Sequence, residues 1–366
     1  MKALLIPTDS ASNEYRVKHN AYGGVTYYRL IAPQKAVNAL GHEWEYFGND
    51  LNKASKNDFN TFFKNYDAVI CKHVDSPHAA KNIQLACEKA GIPLIYDLDD
   101  DLLSIREDNP AHDSYKQGAM KRVYLATNLS FADALFVSTE PLKERYQTFF
   151  KEVMRVDVPV YVLPNYNDAE LYDFKTKTNE NKVVIGYHGS ITHDKDLSMV
   201  LPVIDQLMYK YPNLHMQLVG TVRRESLNTL FAPIYNKMRF EIKAGTPAFD
   251  EFPKLLMKMR WDIGIAPLID DVFNRGKSHI KYMEYAMKKI PVVASDVYPY
   301  SKNAKHALLA KNPAQFKQRL ETLIKDKKYR YELGQKAYEH VTTDLQYKDH
   351  AQEWVNAVQS VIENKR

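Results

Sequence analysis

WDIGIAPLIDDVFNRGKSHIKYMEYAMKKIPVVASDVYPY, from Trp261 to Tyr300, reads as strand, loop, helix and strand, and the chain is arranged around it. Asp262 to Ala266 is a short apolar run, and Pro267 to Asn274 carries loop residues. Over Ser278 to Met287 the apolar positions Ile280, Met283 and Met287 recur three and four apart, as one helical face requires. Pro291 to Ala294 is again apolar and β-branched, and Ser295-Asp296 closes it.

A polar stripe accompanies the apolar one. Lys277, Lys281 and Glu284 stand at i, i+4 and i+7, which puts them on one side of the expected helix. Two lysines four apart repel by roughly 0.2–0.5 kcal/mol in an isolated helix. Lys277 also falls at the positive end of the helix dipole, where a cation is unfavourable. A bound anion reverses both effects, because free N–H groups, the dipole and two ammonium groups converge on it. Phosphate is the natural candidate. The alternative is a solvated face on which Glu284 pairs with Lys288.

The order D-I-G-I-A-P-L, F-N-x-G-K-S-x-x-K-x-x-E-Y and I-P-V-V-A-S-D-V resembles the donor-binding segment of retaining glycosyltransferases of family 4, the group 1 glycosyl transferases. The resemblance implies that Glu284 holds the ribose hydroxyls of a nucleotide-sugar. It also implies that N–H groups around Asn274, Gly276 and Ser278 hold the diphosphate beside Lys277 and Lys281. The family usually carries a second glutamate where this chain has Gly276.

The 366 residues suit two domains of ordinary size. Apolar content of 45% and a mean hydropathy of −0.47 describe a soluble globular protein. Ala3 to Pro7 is too short for a signal peptide and reads as a first strand. No stretch approaches the roughly 18 to 20 apolar residues of a membrane helix. Two cysteines, Cys71 and Cys87, exclude a disulfide framework. The expected compartment is the cytoplasm. A net charge of +5 suits an anionic partner, whether nucleotide, lipid headgroup at the inner face of a membrane, or nucleic acid.

Toward the N-terminus, Gly23-Gly24 precedes a helical pattern and lets backbone N–H groups approach a phosphate, or simply makes a turn. Strands at Asp67 to Cys71, Ile92 to Tyr96, Ala134 to Val137 and Val158 to Leu163 alternate with helices at Ser76 to Ala90, Lys116 to Ala132 and Pro141 to Phe150. This is a parallel-sheet succession. Pro164-Asn165 resembles the family's signature before the crossing to a second domain. The cluster Asp97-Leu98-Asp99-Asp100-Asp101 has three readings: Asp99 contacting sugar or acceptor hydroxyls, a helix N-cap, or a metal site. His73, just past a strand end, is an acceptor-side group or a surface histidine.

Asp173 to Lys182 has no apolar periodicity and reads as a linker. The strand Val183 to Tyr187 then leads into HGSITHDKDL, followed by a helix over Leu197 to Tyr209. In the family an arginine and a lysine after this strand neutralise the departing diphosphate. Lys195 matches the lysine, Ser190 stands in the arginine's place beside Gly189, and Arg223, Arg224 or Lys277 can supply the missing charge. Gly220 ends the strand Leu214 to Val219, and Thr246 follows Phe240 to Ala244, where the family reads the base. Tyr347, Ala351, Trp354, Val358 and Val361 form one face of a last helix, which packs locally or crosses back to the first domain.

The expected fold is therefore α/β, a GT-B pair of Rossmann-like doubly wound domains facing across a cleft. The expected divisions are 1–172, a linker at 173–182, a donor domain at 183–342, and a returning helix at 343–366. The resemblance implies retaining, metal-independent transfer of a hexosyl or pentosyl group from a nucleoside-diphosphate sugar, with no cofactor. Its hydroxyl acceptor is a cell-envelope glycan or lipid in preference to a hydroxymethylated DNA base. The alternatives are a nucleotide-sugar epimerase on the same fold and a binding protein that has lost catalysis.

Overall fold

The computed structural model describes residues 1–7, 23–47, 63–72, 74, 76–172, 181–189, 191–220, 224–235, 238–244 and 251–365. The expected linker lies almost wholly outside them. Two six-stranded sheets carry the fold, and every paired strand runs parallel to its neighbour. The first sheet contains β1 (Lys2–Ile6), β2 (Glu43–Tyr46), β3 (Ala68–Lys72), β4 (Leu94–Leu98), β5 (Ala134–Val137) and β6 (Val160–Val162) in the order β2-β1-β3-β4-β5-β6. The second contains β7 (Val183–Gly189), β8 (Leu214–Gly220), β9 (Phe240–Ala244), β10 (Ile263–Ala266), β11 (Val292–Ser295) and β12 (Leu308–Ala310) in the order β12-β11-β10-β7-β8-β9.

Each sheet starts at an inner strand, builds to one side, then returns and builds to the other. The order therefore reverses between β1 and β3, and again between β7 and β10. Loops leaving the C-terminal ends of such strand pairs diverge above and below the sheet and leave a crevice.

Several elements depart from the periodicity. The helix expected over Lys116 to Ala132 is shortened to Met120–Leu129, because Gly118, whose φ of +84° lies in the left-handed region, separates it from the short helix His112–Tyr115. The helix expected over Leu197 to Tyr209 divides into Asp194–Ser198 and Leu201–Lys210, with Pro202 at the start of the second. The loop expected over Pro267 to Asn274 contains the short helix Val272–Arg275, which Asp271 caps through the Asn274 N–H. β2 escapes pattern reading because Trp44 is its one fully covered side chain, set between two exposed glutamates.

One buried cation organises the first domain. Arg29 lies in a π-helical turn, Tyr27–Ile31, and is fully buried. Its Nε and Nη2 donate to Asp97 at 2.9 and 2.7 Å, and Nη1 donates to the Leu163 carbonyl at 2.5 Å and to Asn165 Oδ1 at 3.0 Å. The guanidinium also lies 4.9 Å from the ring centre of Trp354. Trp354 belongs to the last helix, Tyr347–Lys365, which buries Tyr347, Ala351, Trp354, Val358 and Val361 against the first domain. Its contacts there include Trp44 and Phe136, and Lys365 reaches Asp133 at 2.8 Å. Asp97 is thus a structural carboxylate.

Arg29→Met should cost about 3–5 kcal/mol, because it leaves the Asp97 charge buried without a partner. Arg29→Met combined with Asp97→Leu should cost clearly less. Denaturant unfolding of both proteins checks this, and equal losses would contradict it.

Candidate active site

The helix carrying the polar stripe is Ile280–Met287, with His279 as its N-cap. Lys277 and Ser278 therefore precede it, in a bend where Gly276 ends the preceding short helix. The expected i, i+4, i+7 alignment within one helix is corrected for Lys277, which reaches the cleft from that bend. Its ammonium lies 3.3 Å from Asp100 of the first domain and 4.5 Å from the ring centre of Phe273. Lys288 does not pair with Glu284. It turns away and donates to the carbonyls of Leu256 and Met257 at 2.8 and 3.0 Å.

Glu284 is buried, and Tyr28 of the first domain donates to its Oε1 at 3.2 Å. His188 Nε2, from the end of β7, sits 3.3 Å from Oε2. Burial raises the Glu284 carboxyl to about 7, with Lys281 and the Tyr28 hydroxyl opposing the rise. Burial lowers the Lys281 ammonium to about 8, with Glu284 opposing and Lys277 adding to the fall. Burial drives His188 well below its ordinary value and keeps it neutral. The stripe is therefore a desolvated acid–base pair rather than a solvated face.

Beside it, at the reversal between β7 and β10, Asp196 gathers donors from four segments. Arg106 of the first domain donates to Oδ1 at 2.8 Å, as do Asn274 Nδ2 at 2.9 Å and the Ile269 N–H at 3.0 Å. His193 Nδ1 is 3.0 Å from Oδ2. Burial pushes this carboxyl up, but the hydrogen bonds outweigh it and hold it at about 2. Arg106 also reaches Asp271 at 3.3 Å and Asp108 at 2.9 Å.

The two domains touch all along this line. Thr139 Oγ1 donates to the Gly276 carbonyl at 2.8 Å, and Asn165 Nδ2 donates to Ser278 Oγ at 3.1 Å. A Cβ on Gly276 would stand 3.0 Å from Leu142 Cδ2 of the first domain, so a larger residue there would require the Leu142 side chain to give by a few tenths of an ångström.

The candidate residues sort unevenly. Glu284, Lys281, Lys277, Ser278, Asn274 and Gly276 lie together, and Asn274 clamps Asp196. Gly189 and Gly220 are paired at the ends of β7 and β8. A Cβ on Gly220 would fall 1.8 Å from the Gly189 carbonyl oxygen, and its φ is +140°. Gly23 is exposed before the first helical turn, and Gly24 opens that turn. Lys195 is exposed on the Asp194–Ser198 helix. His73, Ser190, Arg223 and Thr246 lie outside the described residues, as does the Arg224 side chain.

The aspartate cluster disperses. Asp97 pairs with Arg29, Asp100 with Lys277, and Asp101 accepts from the Leu103 N–H at 3.0 Å. Asp99 is half-buried, and its carboxyl is raised to about 7 by burial and by Asp100, against Lys72 and Arg29. Among the described residues no three His, Cys, Asp or Glu side chains gather as a metal ligand set, and no helix is long and apolar enough to cross a membrane. A cavity of about 440 Å³ lies near the opposite ends of β7 to β9, lined by Lys182, Arg239, Lys243 and Lys258. It is remote from these groups.

Tyr28, Arg106, His188, His193 and Asp196 were not singled out by spacing. For His193 and Asp196 the signal was present, as polar residues directly after a strand end. Arg106 left none.

Two predictions follow from the packing. Gly220→Ala should destabilise the second domain by more than 2 kcal/mol, through strain and backbone collision, and thermal unfolding measures it. Asp196 has its folded pKa below its unfolded value of 3.8, so its contribution is present above about pH 4 and is lost as pH falls toward 2. Between pH 5 and 2 the wild type should lose about 2 kcal/mol more than Asp196→Asn. Identical losses would contradict the bonding described.

Residues 168–340 match the model of the family described as "Glycosyl transferases group 1". No curated protein matches the chain by sequence. Among solved structures, Anabaena HepE in complex with UDP aligns with a TM-score of 0.65 at 15% identity, over 98% of this chain and 100% of that one. An alpha-glucosyltransferase (AGT) in complex with UDP aligns with 0.68 at 12% identity, over 98% and 100%. TarM aligns with 0.59 at 15% identity over 80% of this chain, which spans about half of TarM's length (54%). The chain has the GT-B fold of glycosyltransferases, and the family match falls on the domain that carries Lys281 and Glu284.

Proposed function

We propose that this protein is a retaining glycosyltransferase that moves a sugar from a nucleoside diphosphate to a hydroxyl acceptor without a metal ion. The observation that carries this reading is the group of Lys277, Lys281 and Glu284 beside the β7–β10 crevice, the glutamate buried and the two lysines partly buried, inside the region that matches the family. Glu284 accepts hydrogen bonds from the ribose hydroxyls once Tyr28 releases it. Lys277 and Lys281 receive the diphosphate. The ammonium of Lys281 is costly where it stands, and a bound dianion lowers that cost.

Charge on the leaving diphosphate rises as the glycosidic bond breaks. Cations already fixed in a desolvated cleft stabilise that charge without reorganising, which is the main demand of this reaction class. Asp99, with a raised pKa, serves the acceptor hydroxyl. Its half-exposed position at the end of β4 supports that role. Closure of the two domains over the donor limits its hydrolysis. The complexes recorded for HepE and AGT make uridine the first donor base to try. The acceptor proposed is an envelope glycan or lipid, approached from the cytoplasmic side.

The protein should release one nucleoside diphosphate when incubated with UDP-, GDP-, ADP- or TDP-sugars in EDTA, and release should rise with envelope extract or hydroxymethylated DNA. Lys281→Ala should lower kcat/KM by about 10²-fold. Glu284→Ala should abolish detectable donor binding. Donor binding without release would instead support a protein that has kept the site and lost catalysis, and release inhibited by EDTA would overturn the metal-free reading.

A further inference from the structure

The cleft holds two imidazoles that the reaction above does not use, His188 against Glu284 and His193 against Asp196. His193 ends the turn Ile191–His193 directly after β7. Its Nδ1 faces Asp196 Oδ2 at 3.0 Å, and the carboxylate fixes the hydrogen on Nδ1. Nε2 is left without a partner among the described residues, on a side chain that keeps 11% of its surface exposed.

The charged groups around it come from every neighbouring element. Lys281 of the Ile280–Met287 helix and Lys277 of the bend before it act on the ring through the cleft. His188 lies on β7 and interacts with it. Behind Asp196 stand Arg106 of the first domain and Asp271 beyond it. Burial and the two lysines lower the imidazole to about 4, against the pull of Asp196. At neutral pH the ring is therefore an uncharged group, already oriented, within the field of two cations. A dianion laid on Lys277 and Lys281 reverses the field at that ring. A protonated Nε2 then makes a charge-assisted hydrogen bond, roughly twice as strong as a neutral one.

We propose that His193 is a third ligand of the donor's diphosphate, protonated at Nε2 when the donor binds and held in place by Asp196. The proton comes from solvent and returns to it when the nucleoside diphosphate leaves. This inference rests on the transferase reading and adds a positive charge that forms only when the anion is present. The empty cleft is thereby spared a third cation beside Lys277 and Lys281.

The test is calorimetric titration with UDP-, GDP-, ADP- and TDP-glucose at pH 7, in two buffers of different ionisation enthalpy, for wild type and His193→Gln. These donors carry a diphosphate whose charge is fixed near neutrality. Glu284 releases protons as ribose hydroxyls reach it, equally in both proteins, so the difference between them reports His193. Wild type should take up between roughly half a proton and one more per donor bound than His193→Gln. The variant should bind about tenfold more weakly. Equal proton uptake in the two proteins would overturn the inference while leaving the transferase reading intact. Failure of the wild type to bind any of the four donors would overturn both. If the variant does not fold, the ¹⁵N resonances of His193 in the wild type decide. They should move to imidazolium values when a donor is added, and their staying neutral would overturn the proposal.

Discussion

The carboxylate of Asp196 holds the cleft in its observed shape. It is buried and charged, which is tolerable only because Arg106, Asn274, His193 and the Ile269 N–H all donate to it. Three of these partners come from loops at the β7–β10 reversal, and the fourth crosses from the other domain. One charge therefore fixes the crevice walls and ties the first domain to the second. Further contacts between the domains include Tyr28 with Glu284, Lys277 with Asp100, Thr139 with Gly276 and Asn165 with Ser278.

Around this fixed frame stand the candidate groups Lys281 and Glu284, both perturbed by burial. Lys281 is lowered and Glu284 raised by the same burial, so each sits near the pH at which it changes charge. Such opposed shifts mark a site more often than a structural ion pair does. Arg29 and Asp97 show the contrast. They are fully buried, paired directly and supported by Leu163 and Asn165, and they serve packing.

The fold was legible because parallel strands buried on both faces leave continuous apolar runs, and the crossovers leave helical periodicity. The edge strand Glu43–Tyr46 was not, since one buried tryptophan between glutamates carries no alternation long enough to read. At the site, Glu284 and Lys281 were legible because a helix converts spacing into direction. Lys277 was assigned to that helix and lies outside it, because Gly276 and Ser278 form a bend that spacing does not reveal. Arg106 and Tyr28 could not be found at all. Their roles depend on the packing of one domain on the other, which brings together residues 90 and 256 positions apart. The aspartate cluster misled for the same reason in reverse. Neighbours in sequence leave the strand end in different directions, and Asp97, Asp100 and Asp101 find separate partners.

The central claim is that the crevice between β7 and β10 receives a nucleoside diphosphate. The most direct measurement is a crystal structure of the protein with UDP. The account predicts the diphosphate against Lys281 and Lys277, and the ribose on Glu284 in place of the Tyr28 hydroxyl. UDP bound instead in the basic cavity of Lys182, Arg239 and Lys258, with Tyr28 still on Glu284, would contradict it.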